Sequence, residues 1–596
     1  MQKVYDELYH QSKNGNNFYK LIETIGSAQN IRLAYRNIKT NKGSKTPGTD
    51  GLTIEDIKNI NDETLIREVR VRLDDYKPQS VRRVYIDKDG SDKKRPLGIP
   101  TLWDRIVQQC MLQILEPICE PKFYNHSYGF RPNRSAHHAL SRVVSLINIS
   151  KHYYCVDVDI KGFFDNVNHG KLLKQIWALG IRDKRLISII SKLLKAEIEG
   201  EGIPTKGTPQ GGIISPLLSL IVLNELDWWV SDQWETFKTS KGAKGGCGFY
   251  HYARKYTNLK DGFIVRYADD FKIMCKTYDD AQRYYHAVVD FLKIRLGLDV
   301  SPEKSKVINL KKNSSNFLGF KIKIVPKGKT RYGYIAKTDM SDKAMRKAKL
   351  NLKNKVKEIQ NKTVPKKVIN YNLMVIGIQN YYKYATNIYN NITDVNYALL
   401  RTIKGRLVNQ SKTIRFDETP INLQKLAKGI RKDSKVLSIM NVAMLPITGV
   451  HHKSPMNFSQ ETCDYTVKGR EKIHSNLKAI SEVGLNYVIH NRSPNDSIEF
   501  NDNKISKYVA QYGKCGVLGI VIKPNRICCH RKIPLYLGGN DKYSNILIVD
   551  IDVHKLIIET NEKAIKNLLQ MINLDAKQLG KVNRLRKWAD YQEITY

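Results

Sequence analysis

The run Phe271 to Cys275 alternates strictly, with Phe271, Ile273 and Cys275 on one side and Lys272, Met274 and Lys276 on the other. A period of two predicts a half-buried strand. A second apolar run, Gly262 to Val265, precedes it, and Asp269 and Asp270 lie between the two at a hairpin tip. The stretch 154–165 has the same period: Val156, Val158 and Ile160 share one face, Asp157 and Asp159 the other. From Ser341 the period becomes helical. Ala348, Leu352, Val356 and Ile359 form one apolar stripe, and Lys343, Arg346, Lys347, Lys349, Lys353, Lys355 and Lys357 cover the other faces.

These patterns divide the chain. Residues 1–80 are mostly helical, with a polar loop at 41–51, and 81–330 read as mixed α/β, with a Lys/Gly-rich surface loop at 240–246. Helical signals run from Ser341 to about residue 445, 446–505 are polar, and 506–596 form a separable unit of strands, a Gly538-Gly539 turn and helices. The longest apolar stretch, Ile213 to Leu223, is short and broken by Ser215, Pro216 and Ser219, so no membrane partner is expected.

Charge narrows the choice of partner. The 596 residues include 99 Lys and Arg against 58 Asp and Glu, a net charge of +41, with 41% hydrophobic residues. That is enough apolar material for proper cores, and a globular chain this basic repels itself unless an anion neutralises it. Nucleic acid is the expected partner. On the helix beginning at Ser341 only Asp342 and Glu358 offset the lysines, which favours phosphate contact. Asp6, Glu7 and the lack of an early apolar run point away from a signal peptide. Nine cysteines without a Cys-x-x-Cys pair read as reduced thiols of a cytoplasmic protein.

The acids carry the candidate chemistry. Asp269 and Asp270 repel each other, and a divalent cation that favours oxygen ligands, such as Mg²⁺, would relieve the repulsion. On its own the pair also reads as a solvated turn. Asp157 and Asp159 are costly to bury without a cation, or else mark an exposed edge strand. Between them and the hairpin lies Gly207-Thr208-Pro209-Gln210-Gly211-Gly212, a loop or a close backbone approach to a nucleotide. Two-metal phosphoryl transfer needs carboxylates that converge from distant parts of a chain.

Asp159 within Val-Asp-Ile-Lys-Gly-Phe-Phe-Asp, the Thr208-Pro209-Gln210-Gly211-Gly212 run and Tyr267-Ala268-Asp269-Asp270 occur in this order in reverse transcriptases. With Lys94 to Thr101, Tyr128 to Ser135, Phe317 to Phe320 and Gly377 to Tyr382, the chain resembles the bacterial group II intron-encoded reverse transcriptase–maturases. The resemblance implies an α+β multidomain protein. Its parts would be an N-terminal fingers extension (1–80), a right-hand fingers–palm core (81–330), an α-helical thumb or maturase domain (331–445), a DNA-binding segment (446–505) and a ββα-metal, HNH-like endonuclease module (506–596). It also implies two Mg²⁺ ions on Asp159, Asp269 and Asp270. Lys88, Arg95, Phe164, Gln210 and Lys304 would contact dNTPs, with Phe164 excluding the 2′-hydroxyl. Phe317, Leu318, Gly319 and Phe320 would grip the primer, and Arg131, Arg134, Arg346, Lys347, Lys353 and Lys357 would bind RNA. The implied partners are the intron RNA, an RNA template with a DNA primer, and target DNA, the last in the nucleoid.

In the HNH-like module the resemblance implies roles for His530, Asn545 and His554 and a single divalent metal. The position of the water-activating histidine is Arg531, and arginine stays protonated and is no base. Impaired cleavage is therefore expected. Two rival readings are a retron-type or viral polymerase of the same palm fold, and an RNA-binding splicing factor with an inactive polymerase. Retron enzymes usually lack the long tail, and a bulky Phe164 does not suit an RNA polymerase. A binding-only protein has no use for three repelling acids.

Overall fold

The computed structural model describes residues 1–87, 94–237, 246–328, 333–475, 480–493 and 495–595. Strands β1 (Arg82–Asp87) and β2 (Lys94–Ile99) pair as an antiparallel hairpin. Strands β3 (Tyr154–Val158), β4 (Gly262–Tyr267), β5 (Asp270–Cys275) and β6 (Lys306–Asn309) form an antiparallel sheet in the order β4-β5-β3-β6. This order sets the C-terminal end of β3 beside the start of β5. Val158 pairs with Phe271, so Asp159 and Asp270 follow on the same edge.

The strand expected to be half-buried, β5, is covered on both faces from Phe271 to Cys275. The sheet lies between two cores. Phe271, Ile273, Val156 and Val158 join one core with the helix Leu102–Cys119, while Met274, Val265 and Cys155 join a second beneath the helices that follow Ser341. Lys272 is therefore buried rather than solvated.

Helices Gln2–Lys13, Ala28–Thr40 and Asp62–Asp74 build the N-terminal part and pack around Leu102–Cys119. After the four-stranded sheet, β7 (Ser315–Phe317), β8 (Phe320–Pro326) and β9 (Tyr334–Met340) form a small antiparallel sheet. Helices Asp342–Asn361, Pro365–Tyr382 and Ile388–Leu407 follow. Ala348, Leu352, Val356 and Ile359 are the buried stripe, as their spacing predicts.

The region to residue 445 is not wholly helical. β10 (Lys412–Arg415), β11 (Lys435–Ile439) and β12 (Val442–Met444) form a sheet instead. Its edge docks on the helix Pro365–Tyr382, where the Asn372 amide donates to Ala443 O at 2.7 Å and accepts from Leu445 N–H at 2.8 Å. Val436, Ile439 and Met444 close the second core there.

The polar segment then crosses the molecule in extended form. Lys453 N–H donates to Lys383 O at 2.8 Å, Phe458 lies under Arg134 at 4.2 Å, and the Tyr465 hydroxyl donates to Glu116 at 2.7 Å. The division expected at residue 505 falls inside the helix Ile498–Ala510, which belongs to the core of the tail as much as to the linker. β13 (Ile527–Arg531), β14 (Ile546–Asp550) and the helix Ile551–Ile558 give the tail a ββα order around a third core. No helix among the described residues is long and apolar enough to cross a membrane.

Candidate active site

Asp269 sits in the two-residue loop closed by the Tyr267–Asp270 pair. Ala268, beside it, has φ +58°, a left-handed conformation that strains any residue with a side chain. Arg266 compensates from below. Its guanidinium, 1% exposed, donates to Ala268 O at 2.8 Å and to the buried Asp227 of the helix Ser215–Asp232 at 2.7 Å. The segment 126–129 closes the other side. Tyr128 N–H donates to Arg266 O at 2.8 Å, and a Cβ on Gly129 would lie 2.3 Å from Ala268 N, so only glycine lets the two backbones meet.

Asp159 follows the last residue of β3. Its backbone N–H donates to the Ser305 hydroxyl at 3.0 Å, and its carbonyl accepts from Ser301 N–H at 2.8 Å. Its carboxylate meets Lys304 Nζ at 3.1 Å. Asp157 points elsewhere, to Lys272 Nζ at 2.5 Å and the Ser315 hydroxyl at 3.2 Å. Asp270 lies 3.6 Å from Lys272. Desolvation first, then the neighbouring Asp157 and Asp269, hold its carboxyl above the ordinary range against the pull of Lys272.

No three His, Cys, Asp or Glu side chains among the described residues are gathered tightly enough to hold one metal ion. Asp159 is drawn to Lys304 and Asp270 to Lys272. The donor set still fits a hard cation, since three carboxylates share one sheet edge and two are already met by ammonium groups standing where positive charge is needed.

The loop 207–212 is tied to both neighbours. Thr208 N–H donates to Phe164 O, and Gly98 N–H donates to Gln210 O, each at 2.7 Å. Gly211, at φ +122°, brings the loop so near β2 that a Cβ would lie 2.5 Å from Gly98 O. Phe164 and Gln210 are half-buried, and Phe164 meets the buried Phe163 edge-on at 5.3 Å. Arg95 is exposed on β2, whereas Lys88 lies outside the described residues. Lys304 stands in a turn.

The Phe317–Phe320 segment is a hairpin with both loop residues left-handed, Leu318 at φ +51° and Gly319 at φ +81°. Phe317 and Phe320 are buried anchors, so the surface it offers is Leu318 and Gly319. The Tyr381 hydroxyl donates to Leu318 O at 2.9 Å, which makes Gly377-Ile378-Gln379-Asn380-Tyr381-Tyr382 a support for this hairpin.

Residues 86–322 match the family model described as "Reverse transcriptase (RNA-dependent DNA polymerase)". Protein YkfC of Escherichia coli (strain K12) is 33% identical over 334 residues, spanning 53% of this chain and 84% of that protein. The group II intron-encoded protein LtrA of Lactococcus lactis subsp. cremoris is 34% identical over 334 residues, 49% of this chain and 54% of LtrA. The putative COX1/OXI3 intron 1 protein of Saccharomyces cerevisiae is 28% identical over 480 residues, 69% of this chain and 56% of that protein. The chain belongs to the group II intron reverse transcriptase–maturase family. It spans about half the length of the intron-encoded relatives.

Not every expected contact of the reverse transcriptase survives its geometry. Arg131 and Arg134 do not face RNA. Arg131, with 2% of its side chain exposed, is held by Glu120 at 2.7 Å and by the carbonyls of Tyr124 and Ser127. Arg134, 5% exposed, is covered by Phe458. Both are consumed in seating the segment 120–135. Arg131→Ala is therefore expected to destabilise the fold by about 3 kcal/mol, because the Tyr124 and Ser127 carbonyls lose their donor and Glu120 keeps only Arg134 at 3.6 Å, without changing the salt dependence of RNA binding. Thermal unfolding and filter binding check this.

Arg346, Lys347 and Lys357 are exposed on the helix Asp342–Asn361. Lys353 is half-buried beside Arg401, Arg406 and Gln360 in a shallow groove. In the segment expected to bind DNA, Lys468 and Lys472 face Glu461 and Arg470 is bound to Asp6.

In the tail, Arg531 is fixed by Asp541 at 2.7 Å and Asp496 at 3.0 Å, over the ring of Phe500 at 3.7 Å. The Asn545 amide is spent on the backbone, donating to Ile533 O and Asn540 O and accepting from Ile533 N–H. His530 and His554 stand with ring centroids 5.4 Å apart, and burial with the nearby His554 pushes His530 down to about 4. His530 Nε2 has no hydrogen-bond partner.

Sequence reasoning missed Arg266, Asp227 and Gly129 as supports of the hairpin. Asp227 carried a weak signal, being one of two acids, with Glu225, in the apolar stretch from Leu217 to Val230. Gly129 carried none.

Proposed function

We propose that the chain copies RNA into DNA at the Asp159–Asp269–Asp270 edge and holds its group II intron RNA in a splicing-competent fold, with DNA synthesis primed at the target site. The observation that carries this reading is the meeting of Asp159 with the Asp269–Asp270 hairpin on one sheet edge, next to the Phe164–Gln210 loop. Asp159 and Asp269 would hold two Mg²⁺ ions, with Asp270 beside them. Bound metal would lower the pKa of the primer 3′-hydroxyl and neutralise the leaving pyrophosphate.

The chain's own groups supply the rest. Gln210 and Phe164 set the shape around the incoming sugar. Arg95, and Lys88 outside the described residues, would meet the triphosphate. The Lys304 ammonium, held at Asp159, would give a proton to pyrophosphate. Leu318 and Gly319 would steady the primer end. Phe164→Ala removes the wall against the 2′-hydroxyl, and the dNTP preference over rNTP in primer extension is expected to fall roughly 10- to 100-fold.

The thumb helices would bind intron RNA through Arg346, Lys347, Lys353 and Lys357. Neutralising six phosphates implies a log–log salt slope of about −5. The RNA itself would carry out splicing.

The ββα order of the tail supports reading it as an HNH-like module, and an impaired nuclease is the reading its side chains favour. Arg531 is a structural cation rather than a base. Arg531→His is expected to raise Mg²⁺-dependent nicking of target DNA while lowering the tail's melting temperature, because Asp496 and Asp541 lose their partner. No gain in nicking would count against this reading.

The test of the main reading is extension of a DNA primer on an RNA template with dNTPs and Mg²⁺, run beside a splicing assay with the intron RNA. Extension with assisted splicing supports it, and splicing without extension favours the binding-only alternative.

A further inference from the structure

Asp157 and Lys272 take no part in the chemistry above, yet they stand directly under it. Lys272 is two residues beyond Asp270 on β5, so both side chains leave the same face of the strand. It pairs in register with Asp157 of β3, with Nζ 2.5 Å from one carboxylate oxygen. The other Asp157 oxygen accepts from the Ser315 hydroxyl of β7 at 3.2 Å. The same ammonium lies 3.6 Å from Asp270 and 5.6 Å from the centre of the Phe317 ring. One buried cation thus touches the catalytic hairpin, the central strand and the base of the primer-grip hairpin.

Packing alone does not call for a charge there. Met274, the next residue on the same face of β5, is an ordinary part of the second core. A buried ion pair is commonly no more stable than an apolar pair of similar volume. The geometry does explain a bias among the acids. Asp157 and Asp270 share one ammonium, Asp159 is met by a different one, Lys304, and Asp269 at the exposed tip has neither. Carboxylates that must hold two cations need fixed rotamers, and a neighbouring charge with few open directions supplies one.

We propose that Lys272 is a positioning residue for polymerisation, orienting Asp270 at the metal site and holding the Ser315–Phe317 strand in register with the catalytic hairpin. This rests on the polymerase reading of the site.

The test is single-turnover dNTP addition to a primer on an RNA template, with Mg²⁺ titrated, by the wild type and by the double variant D157N/K272M. Removing both charges strands neither, so the fold is expected to persist with a melting temperature near that of the wild type. The rate is expected to fall about tenfold or more and the Mg²⁺ needed for half-maximal rate to rise several-fold, with the dNTP KM changed less than about twofold. A double variant with wild-type rate and Mg²⁺ dependence would show the pair to be structural only and overturn the proposal. Ser315→Ala, which disturbs neither charge, covers the case in which the double variant does not fold. It is expected to shorten cDNA products several-fold at unchanged Mg²⁺ dependence, and products of wild-type length overturn the proposal. Absence of extension by the wild type itself would overturn the polymerase reading instead.

Discussion

Asp269→Ala is expected to lower RNA-templated DNA synthesis at least about 1000-fold, roughly 4 kcal/mol of transition-state stabilisation, while intron RNA binding and assisted splicing stay within about twofold. The asymmetry follows from position. Asp269 lies at the exposed tip of a two-residue loop and supports no buried contact. Its removal also relieves repulsion from Asp270, so the fold loses nothing. The cations proposed to bind RNA lie on a separate element, the helix Asp342–Asn361. Primer extension and splicing measured on one preparation check both halves. Equal loss of both activities would mean that the acid edge and the RNA-binding surface are one functional unit.

Asp227→Ala is expected to act through stability instead. It strands the buried Arg266 guanidinium, a loss of about 3–5 kcal/mol, and lowers the melting transition of the palm by roughly 10 °C. It also frees the left-handed Ala268 turn that aims Asp269, because Arg266 fixes Ala268 O only while Asp227 fixes Arg266. Polymerisation should therefore fall sharply even below the melting temperature. Asp227→Asn, which keeps a hydrogen-bond acceptor, should recover part of both. Calorimetry with primer extension separates the two effects, and a stable but inactive Asp227→Ala would assign Asp227 to the hairpin alone.

Local periodicity carried most of what was legible in the sequence. The period of two located β3 and β5, and the stripe from Ala348 to Ile359 is the face the helix buries. It could not show that β5 is covered on both sides, because alternation does not distinguish water from a second core that arrives from the thumb. For the same reason Lys272 read as a solvated lysine. The sheet at 412–444 escaped a helical reading because its partner strands and the Asn372 contact are set by packing, not by local pattern. Arg131 and Arg134 looked like RNA-facing cations because nothing local shows Glu120 and Phe458 folding over them. The three acids were found because they break the apolar pattern at strand ends. Their supports, Arg266, Asp227 and Gly129, matter only once β4, the helix Ser215–Asp232 and the segment 126–129 are brought together.

The claim that one sheet edge makes this chain an RNA-copying polymerase is tested most directly by single-nucleotide addition to a DNA primer annealed to RNA, comparing the wild type with Asp159→Asn. The wild type should add the templated dNTP in a reaction that stops when Mg²⁺ is chelated, and Asp159→Asn should show no addition above background. Addition at similar rates by both proteins, or by neither, would contradict the account.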